Sequence, residues 1–86
     1  MAIGRVSEAM TAPRKTPAVI HGRILRQTGE ERYVVGDASG KMPAKIENEV
    51  IGSRTITPET PLKIHGRVKK KEGQAYLDVF LIELLP

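Results

Sequence analysis

The four residues Ile20-His21-Gly22-Arg23 recur 44 residues later as Ile64-His65-Gly66-Arg67. Each copy lies in a segment where apolar and polar residues alternate, which is the pattern of a β-strand with one buried face. Gly22 and Gly66 take inward positions, and a glycine there removes the side chain where a sheet bends sharply. A solenoid needs at least three repeats, and this chain has two. The repeat therefore indicates two bent strands of one small, coiled sheet.

The same alternation predicts five strands in all. We expect them at residues 18–27, 31–37, 41–47, 62–71 and 75–84. Turn-forming residues separate consecutive strands, except between the third and fourth. There we expect a helical turn over 48–52, capped by Asn48 and ended by Gly52, followed by a loop with two prolines. The apolar run Phe80-Leu81-Ile82 predicts a bulge or burial on both faces of the fifth strand.

The N-terminal segment, residues 1–17, differs from the rest in its period. Val6, Ala9 and Met10 are spaced as the apolar stripe of a short helix, and Pro13 prevents its continuation. We expect a helix over 6–12 that packs on the end of a barrel, a stiff polar connector to residue 17, and the barrel itself over 18–86. Five strands, one long connection and two bending glycines predict an all-β protein, a five-stranded OB-fold barrel with a short N-terminal helix.

Composition limits both the core and the chemistry. The chain has 86 residues, enough for one small domain, and with no Trp, one Phe and two Tyr its core must be aliphatic. The absence of cysteine excludes disulfides, thiolate zinc sites and a cysteine nucleophile.

No apolar run is long enough to cross a bilayer, and residues 1–11 lack a secretory signal, so we expect no membrane insertion. No catalytic motif is present, and we expect neither an enzyme nor a cofactor.

Basic residues form the candidate ligand-binding site. The net charge of +4 favours anionic partners. Several cations lie in or beside the first-to-second and fourth-to-fifth strand turns, with which OB barrels usually hold ligands. Together with two tyrosines, the candidate ligand-binding residues are Arg23, Arg26, Arg32, Tyr33, Lys41, Lys45, Arg67, Lys69, Lys70, Lys71 and Tyr76.

Three interpretations of this basic set remain open. It forms a positive groove for an anionic small ligand, a glycan, a lipid head group or a protein partner. Alternatively, it binds single-stranded nucleic acid, although only Tyr33, Tyr76 and Phe80 are available to stack on bases. In the third interpretation the lysines are a solvated strand edge that discourages aggregation.

His21 and His65 are candidates for metal ligands, because the first and fourth strands of such a barrel are neighbours. Zinc normally needs three or four protein ligands, and the chain has no third histidine. Asp78 or Glu83 would have to complete the set, so two exposed strand histidines are the stronger interpretation. Similarly, residues 37–40 indicate a turn rather than a cation site, because a calcium loop needs several more oxygen ligands.

A resemblance to a known family rests on an ordered set of short motifs. They are Ile20-x-Gly22-x-Ile24-x-x-Gln27, Gly29-Glu30-Glu31-x-Tyr33, Asp37-Ala38-Ser39-Gly40, Ile46-Glu47-x-Glu49-Val50, Thr57-Pro58 and Ile64-x-Gly66-x-Val68. Over about residues 6–84 the chain resembles the bacterial OB-fold (BOF) family, the YgiW/YdeI-type stress-tolerance proteins. The resemblance implies a periplasmic location, no catalysis, and tolerance of envelope, oxidative or antimicrobial-peptide stress through binding a ligand or partner. The residues by themselves leave a cytoplasmic location open.

Overall fold

Five strands close into a barrel in the computed structural model, which describes residues 2–86. The strands are β1 (Pro17–Gly29), β2 (Arg32–Asp37), β3 (Gly40–Ile46), β4 (Leu62–Lys71) and β5 (Gln74–Leu84), and the helices are α1 (Val6–Ala9) and α2 (Asn48–Ile51). The barrel order is β1-β2-β3-β5-β4, and every pair is antiparallel except β3 with β5. The predicted five-stranded OB-fold barrel is confirmed.

The long strand β1 has two partners, and Gly22 marks the change between them. Gly22 is the last residue that pairs with β4, and Arg23 is the first that pairs with β2, opposite Gly36. A Cβ atom on Gly22 would clash with the carbonyl oxygen of Gly36. On β4, a Cβ atom on Gly66 would lie 2.6 Å from the carbonyl oxygen of Asp78. Both glycines are therefore required by the close approach of a neighbouring backbone.

Inward aliphatic side chains from all five strands fill the barrel. The most buried large ones are Ile20, Val35, Met42, Ile46, Leu62, Ile64, Val68, Leu77 and Ile82. Val6, Ala9 and Ala12 join this core from the N-terminal segment. The prediction for Met10 was wrong: α1 ends at Ala9 after a single turn, so the helical period stops there and Met10 is 38% exposed.

The β2–β3 turn holds α1 against the barrel. Asp37 Oδ2 accepts a hydrogen bond from the Val6 amide, and Ser39 Oγ accepts one from the Ser7 amide at 3.0 Å. Asp37 Oδ1 accepts from the amide and the hydroxyl of Ser39. Burial alone would raise the pKa of Asp37, but hydrogen bonds from Ser39, Val6 and Gly40 outweigh it and hold the pKa below the usual 3.8. Residues 37–40 are a turn, as predicted, and its carboxylate serves the fold.

A bulge in β5 accounts for the apolar run in its sequence. Val79 pairs with Gly66 and Leu81 pairs with His65, which leaves Phe80 as the extra residue. Phe80 is 58% and Leu81 45% exposed, whereas Ile82 returns to the core. The predicted bulge is confirmed, and its alternative, burial on both faces, is not observed.

The connection between β3 and β4 is fixed at both ends of α2. Glu47, not Asn48, is the N-cap residue and provides no side-chain cap; the Asn48 amide instead donates to Glu31 Oε2 at 2.9 Å. Gly52 ends the helix with a φ of 65°, as predicted. Arg54 then donates to the carbonyl oxygens of Val50, Ile51 and Ile82, which ties the loop to β5.

Candidate functional site

A groove of about 460 Å³ opens between the β1–β2 turn and the β4–β5 turn. These are the two turns that the sequence indicated as the ligand-holding loops of the barrel. The groove is lined by Thr28, Glu30, Glu31, Arg32 and Tyr33 on one side, by Pro43, Ala44 and Lys45 of β3, and by Lys71, Glu72, Gln74 and Tyr76 on the other side. The fold therefore brings both loops to one concave site.

The groove exists because β3 and β5 pair over only three residues, Ala44–Ile46 with Leu77–Val79. The Ile46 amide donates towards β2, to the Glu31 carbonyl, so strand alternation places Pro43 at the open edge of β3. Proline has no N–H to offer there. On the β5 side, the Gln74 side chain donates to the carbonyl of Ala75 at 3.1 Å. Backbone pairing with an added strand is thus disfavoured, and side chains decide what the groove binds.

The groove carries charges of both signs. Its cations are Arg32, Lys45 and Lys71, and its carboxylates are Glu30, Glu31 and Glu72. The sequence led us to expect a positive groove, and the structure adds carboxylates to it, because the tips of both turns contribute glutamates. The groove matches a ligand that combines acid groups with many hydrogen-bonding groups better than it matches a ligand that offers phosphates alone.

Glu31 fixes the shape of the β1–β2 turn. Its backbone is in the left-handed region, with a φ of 59°, which is why β2 begins at Arg32 and not at residue 31 as predicted. The carbonyl of Glu31 accepts from the Ile46 amide at 3.0 Å, while its carboxylate accepts from Asn48. The turn is therefore tied to both ends of the β3–α2 junction, and this holds the groove wall in place.

The two tyrosines of the groove differ in their surroundings. Tyr33 is half-buried and packs against the hydrophobic core, so it belongs to the inner wall. Tyr76 lies on the outer face of β5, opposite Lys69 of β4, and is partly exposed. Phe80 does not line the groove. One ring, that of Tyr76, is thus placed to stack on a bound ligand.

The structure brings together about half of the predicted site residues. Arg32, Tyr33, Lys45, Lys71 and Tyr76 line the groove, whereas Arg23, Arg26, Lys41, Arg67, Lys69 and Lys70 lie outside it. The lining residues that the sequence reasoning missed are Thr28, Glu30, Glu31, Pro43, Ala44, Glu72 and Gln74. Most of them lie in or next to the two turns that the sequence had indicated. They were missed because only basic residues and tyrosines were selected as candidates.

The histidines lie on the neighbouring strands β1 and β4, as predicted, but at different levels. His21 is opposite Lys63, and His65 is opposite Val19. His65 Nε2 lies 2.7 Å from Glu83 Oε1. Within residues 2–86, no three His, Cys, Asp or Glu side chains are grouped so that they could hold a metal ion. Glu83 is therefore the structural partner of His65.

Similarity to known proteins agrees with this architecture. The family profile described as bacterial OB fold (BOF) protein matches residues 2–84. The chain belongs to the bacterial OB-fold family. The resemblance seen in its motifs is thereby confirmed. In the part of this family member that the structure describes, no helix is long and apolar enough to cross a membrane.

Two of the proteins that this bacterial OB-fold protein resembles in sequence show how far the similarity extends. One is the calcium-regulated OB-fold protein CarO of Pseudomonas aeruginosa, 29% identical over 80 residues that cover 93% of this chain and 69% of CarO. The other is protein YgiW of Escherichia coli, 28% identical over 74 residues that cover 86% of this chain and 57% of YgiW.

Solved structures of other proteins have the same fold as this chain. The structure of YgiW from E. coli superposes with a TM-score of 0.91 at 26% identity, covering 99% of this chain and 91% of that one. A murine DNA-binding protein bound to double-stranded DNA superposes with a TM-score of 0.72 at 15% identity, covering 98% and 48%. At that identity the second likeness shows the OB fold alone.

Proposed function

We propose that this bacterial OB-fold protein is a non-catalytic binding module of stress tolerance whose groove takes an acidic glycan of the cell envelope. The observation that supports this best is the groove between the two ligand-holding turns, lined by cations, carboxylates and Tyr76. OB barrels use these turns to bind oligosaccharides and oligonucleotides. The proposal includes a periplasmic location and a ligand reached there.

The chemistry of the lining favours a sugar acid. Sugar hydroxyls both donate and accept hydrogen bonds, so they fit carboxylates such as Glu30 and Glu72 as well as the Gln74 amide. Arg32 or Lys71 would hold the acid group, and the partly exposed ring of Tyr76 would cover the apolar face of the sugar. A small anionic head group or a protein segment would use fewer of these groups.

Single-stranded nucleic acid is the second candidate, and one arrangement outside the groove favours it. Arg23 and Lys41 lie on either side of Gly36 in one row of the β1-β2-β3 ladder, with Arg26 further along β1. These cations face solvent. Against it, Tyr33 packs on the core instead of facing a base, which leaves one ring of the groove, that of Tyr76, for stacking.

Titration with a defined acidic glycan and a defined oligonucleotide separates the candidates. We expect hexagalacturonate to bind the full chain, and Tyr76→Ala to weaken that binding by about tenfold, the loss of a ring contact worth about 1.4 kcal/mol. Tyr76→Phe, which keeps the ring, should bind almost as the unaltered chain does. A twenty-residue oligothymidylate should bind more weakly at every salt concentration.

Two results would count against the proposal. Oligothymidylate binding that is tighter than hexagalacturonate binding, with a log-log salt slope of about −0.7 per phosphate contacted, would favour the nucleic-acid candidate. Failure of hexagalacturonate to bind at all would remove the acidic glycan. Fractionation of cells that express the gene from its own locus tests the location, and recovery in the cytoplasm would contradict a periplasmic role.

A further inference from the structure

A row of charged side chains crosses the outer wall of the barrel next to the groove. In the strand register Arg32 of β2 is opposite Lys45 of β3, Lys45 is opposite Asp78 of β5, and Asp78 is opposite Arg67 of β4. Lys69 reaches the same carboxylate, with its Nζ 2.8 Å from Asp78 Oδ2. We name these five residues the Asp78 strip. Its residues come from four strands, β2, β3, β4 and β5, and they form no contiguous motif in the sequence.

The strip has more positive charge than its carboxylate can pair. Lys69 is the partner of Asp78 by distance, and the hydrogen bond and charge of Asp78 raise the pKa of Lys69 above the usual 10.5. Among residues 2–86, Arg32, Lys45 and Arg67 form no ion pair. Four cations around one carboxylate leave a formal charge of +3 on a solvent-facing wall, which is complementary to an anion.

The strip is continuous with the groove. Arg32 and Lys45 belong to both, and Tyr76 of the groove wall lies opposite Lys69. From Lys45 the row passes over Asp78 to Arg67, which is two strand spacings away, or about 10 Å. A ligand that fills the groove and is long enough to leave it past Lys45 therefore meets a second cation on β4.

We propose that the Asp78 strip is a second anionic subsite, and that the ligand is an oligomeric acidic glycan whose next acid group lies at Arg67. This rests on the proposed function of the groove. The sugar hydroxyls of such a ligand pair with the carboxylates and the Gln74 amide of the groove, whereas a DNA strand has hydroxyls only at its ends. The unpaired charge of Arg67 then holds a further acid group of the same sugar chain.

Comparison of a short and a long probe tests this inference separately from the groove. Digalacturonate and hexagalacturonate are titrated into the full chain and into Arg67→Gln. We expect the longer probe to bind more tightly than the shorter one, and Arg67→Gln to weaken only the longer probe, by about fivefold, as an exposed ion pair of about 1 kcal/mol gives. Arg14→Gln, which changes an exposed arginine outside both the groove and the strip, is the matched control and should change neither affinity.

Each outcome has one meaning. Digalacturonate binding without any gain for hexagalacturonate overturns the second subsite and leaves the groove proposal standing. The subsite also fails when Arg67→Gln weakens both probes equally, or when Arg14→Gln has the same effect as Arg67→Gln, because either result shows a general effect of net charge. Absence of binding by both probes overturns the groove proposal together with the subsite. Tighter binding of oligothymidylate, lost in Arg67→Gln, would assign the strip to nucleic acid instead.

Discussion

The carboxylate of Asp37, in the β2–β3 turn, accepts a hydrogen bond at 3.0 Å from the backbone amide of Val6, which is 31 positions earlier in the chain. Arg5, at the N-cap position of α1, provides no side-chain cap. A one-turn helix is unstable in isolation, because its first amides lack partners. Asp37 satisfies one of them from a distant turn, so α1 depends on the closed barrel for its position.

Replacing Asp37 by Ala should destabilise the fold by about 1–2 kcal/mol, the usual cost of removing a helix cap. Asp37→Asn should cost less, because the amide oxygen still accepts one hydrogen bond. Urea unfolding followed by circular dichroism measures both. Glu59→Ala removes an exposed carboxylate that makes no hydrogen bond in residues 2–86 and is the control. Equal midpoints for Asp37→Ala and Glu59→Ala would contradict the capping role.

Stability should fall at acidic pH through the same carboxylate. The folded-state pKa of Asp37 is lowered from 3.8, so the unfolded chain binds its proton more readily than the folded one. The stabilisation that Asp37 gives to the folded state is therefore complete above the pKa of Asp37 in the unfolded chain. It is lost as the pH falls through the lower pKa of Asp37 in the folded state. Urea midpoints measured from pH 7 to pH 2.5 should decline less steeply in Asp37→Asn. Parallel acid limbs for the two proteins would show that Asp37 does not titrate in this way.

Gly66→Ala should destabilise the barrel by about 1–3 kcal/mol, as overpacking does. Its Cβ would lie 2.6 Å from the Asp78 carbonyl oxygen and 3.0 Å from Leu77 Cγ, and the backbone there is held by the β4–β5 pairing. Gly29→Ala is the matched control, since its Cβ would meet Arg32 no closer than 3.6 Å. Thermal unfolding should separate the two variants clearly. A neutral Gly66→Ala would mean that β4 and β5 lie further apart than described.

Two adjacent lysines of β4 should differ in ligand binding. Lys71 lines the groove and Lys70 does not. Replacing either lysine by glutamine removes one positive charge. We expect Lys71→Gln to weaken hexagalacturonate binding by about fivefold, and Lys70→Gln to leave it within twofold, because an exposed ion pair is worth about 1 kcal/mol. Isothermal titration calorimetry measures both. Equal losses would show that net charge, and not the groove, governs binding.

Much of the barrel could be predicted because the alternation of apolar and polar residues in each strand shows which face of the strand is buried. The alternation around Ile20, Ile64 and Leu77 located the strands to within two residues, and the two glycines marked strands that neighbouring backbones approach closely. Helix α1 was less predictable, since a single turn is too short for a helical period. Met10 was therefore assigned to the core, where Ala12 lies instead.

The candidate site was predictable only in part, for a different reason. Sequence reasoning identified the two turns and selected their cations, but it could not tell which cations would face each other. Lys70 and Lys71 are neighbours in the chain and only one of them lines the groove. Glu30 and Glu72, from turns more than forty residues apart, oppose the charge of the lysines there.

What the chain determined by itself is local: the alternation of aliphatic and polar residues, the turn residues and the glycines that admit a neighbouring backbone, since each depends on the conformation of a few adjacent residues. The closed barrel decided what is distant. It set the charge balance of the groove, the cap that Asp37 gives to Val6, and the grouping of Lys45, Arg67 and Lys69 around Asp78. These arise from strand order and register, which bring together residues that the sequence keeps apart.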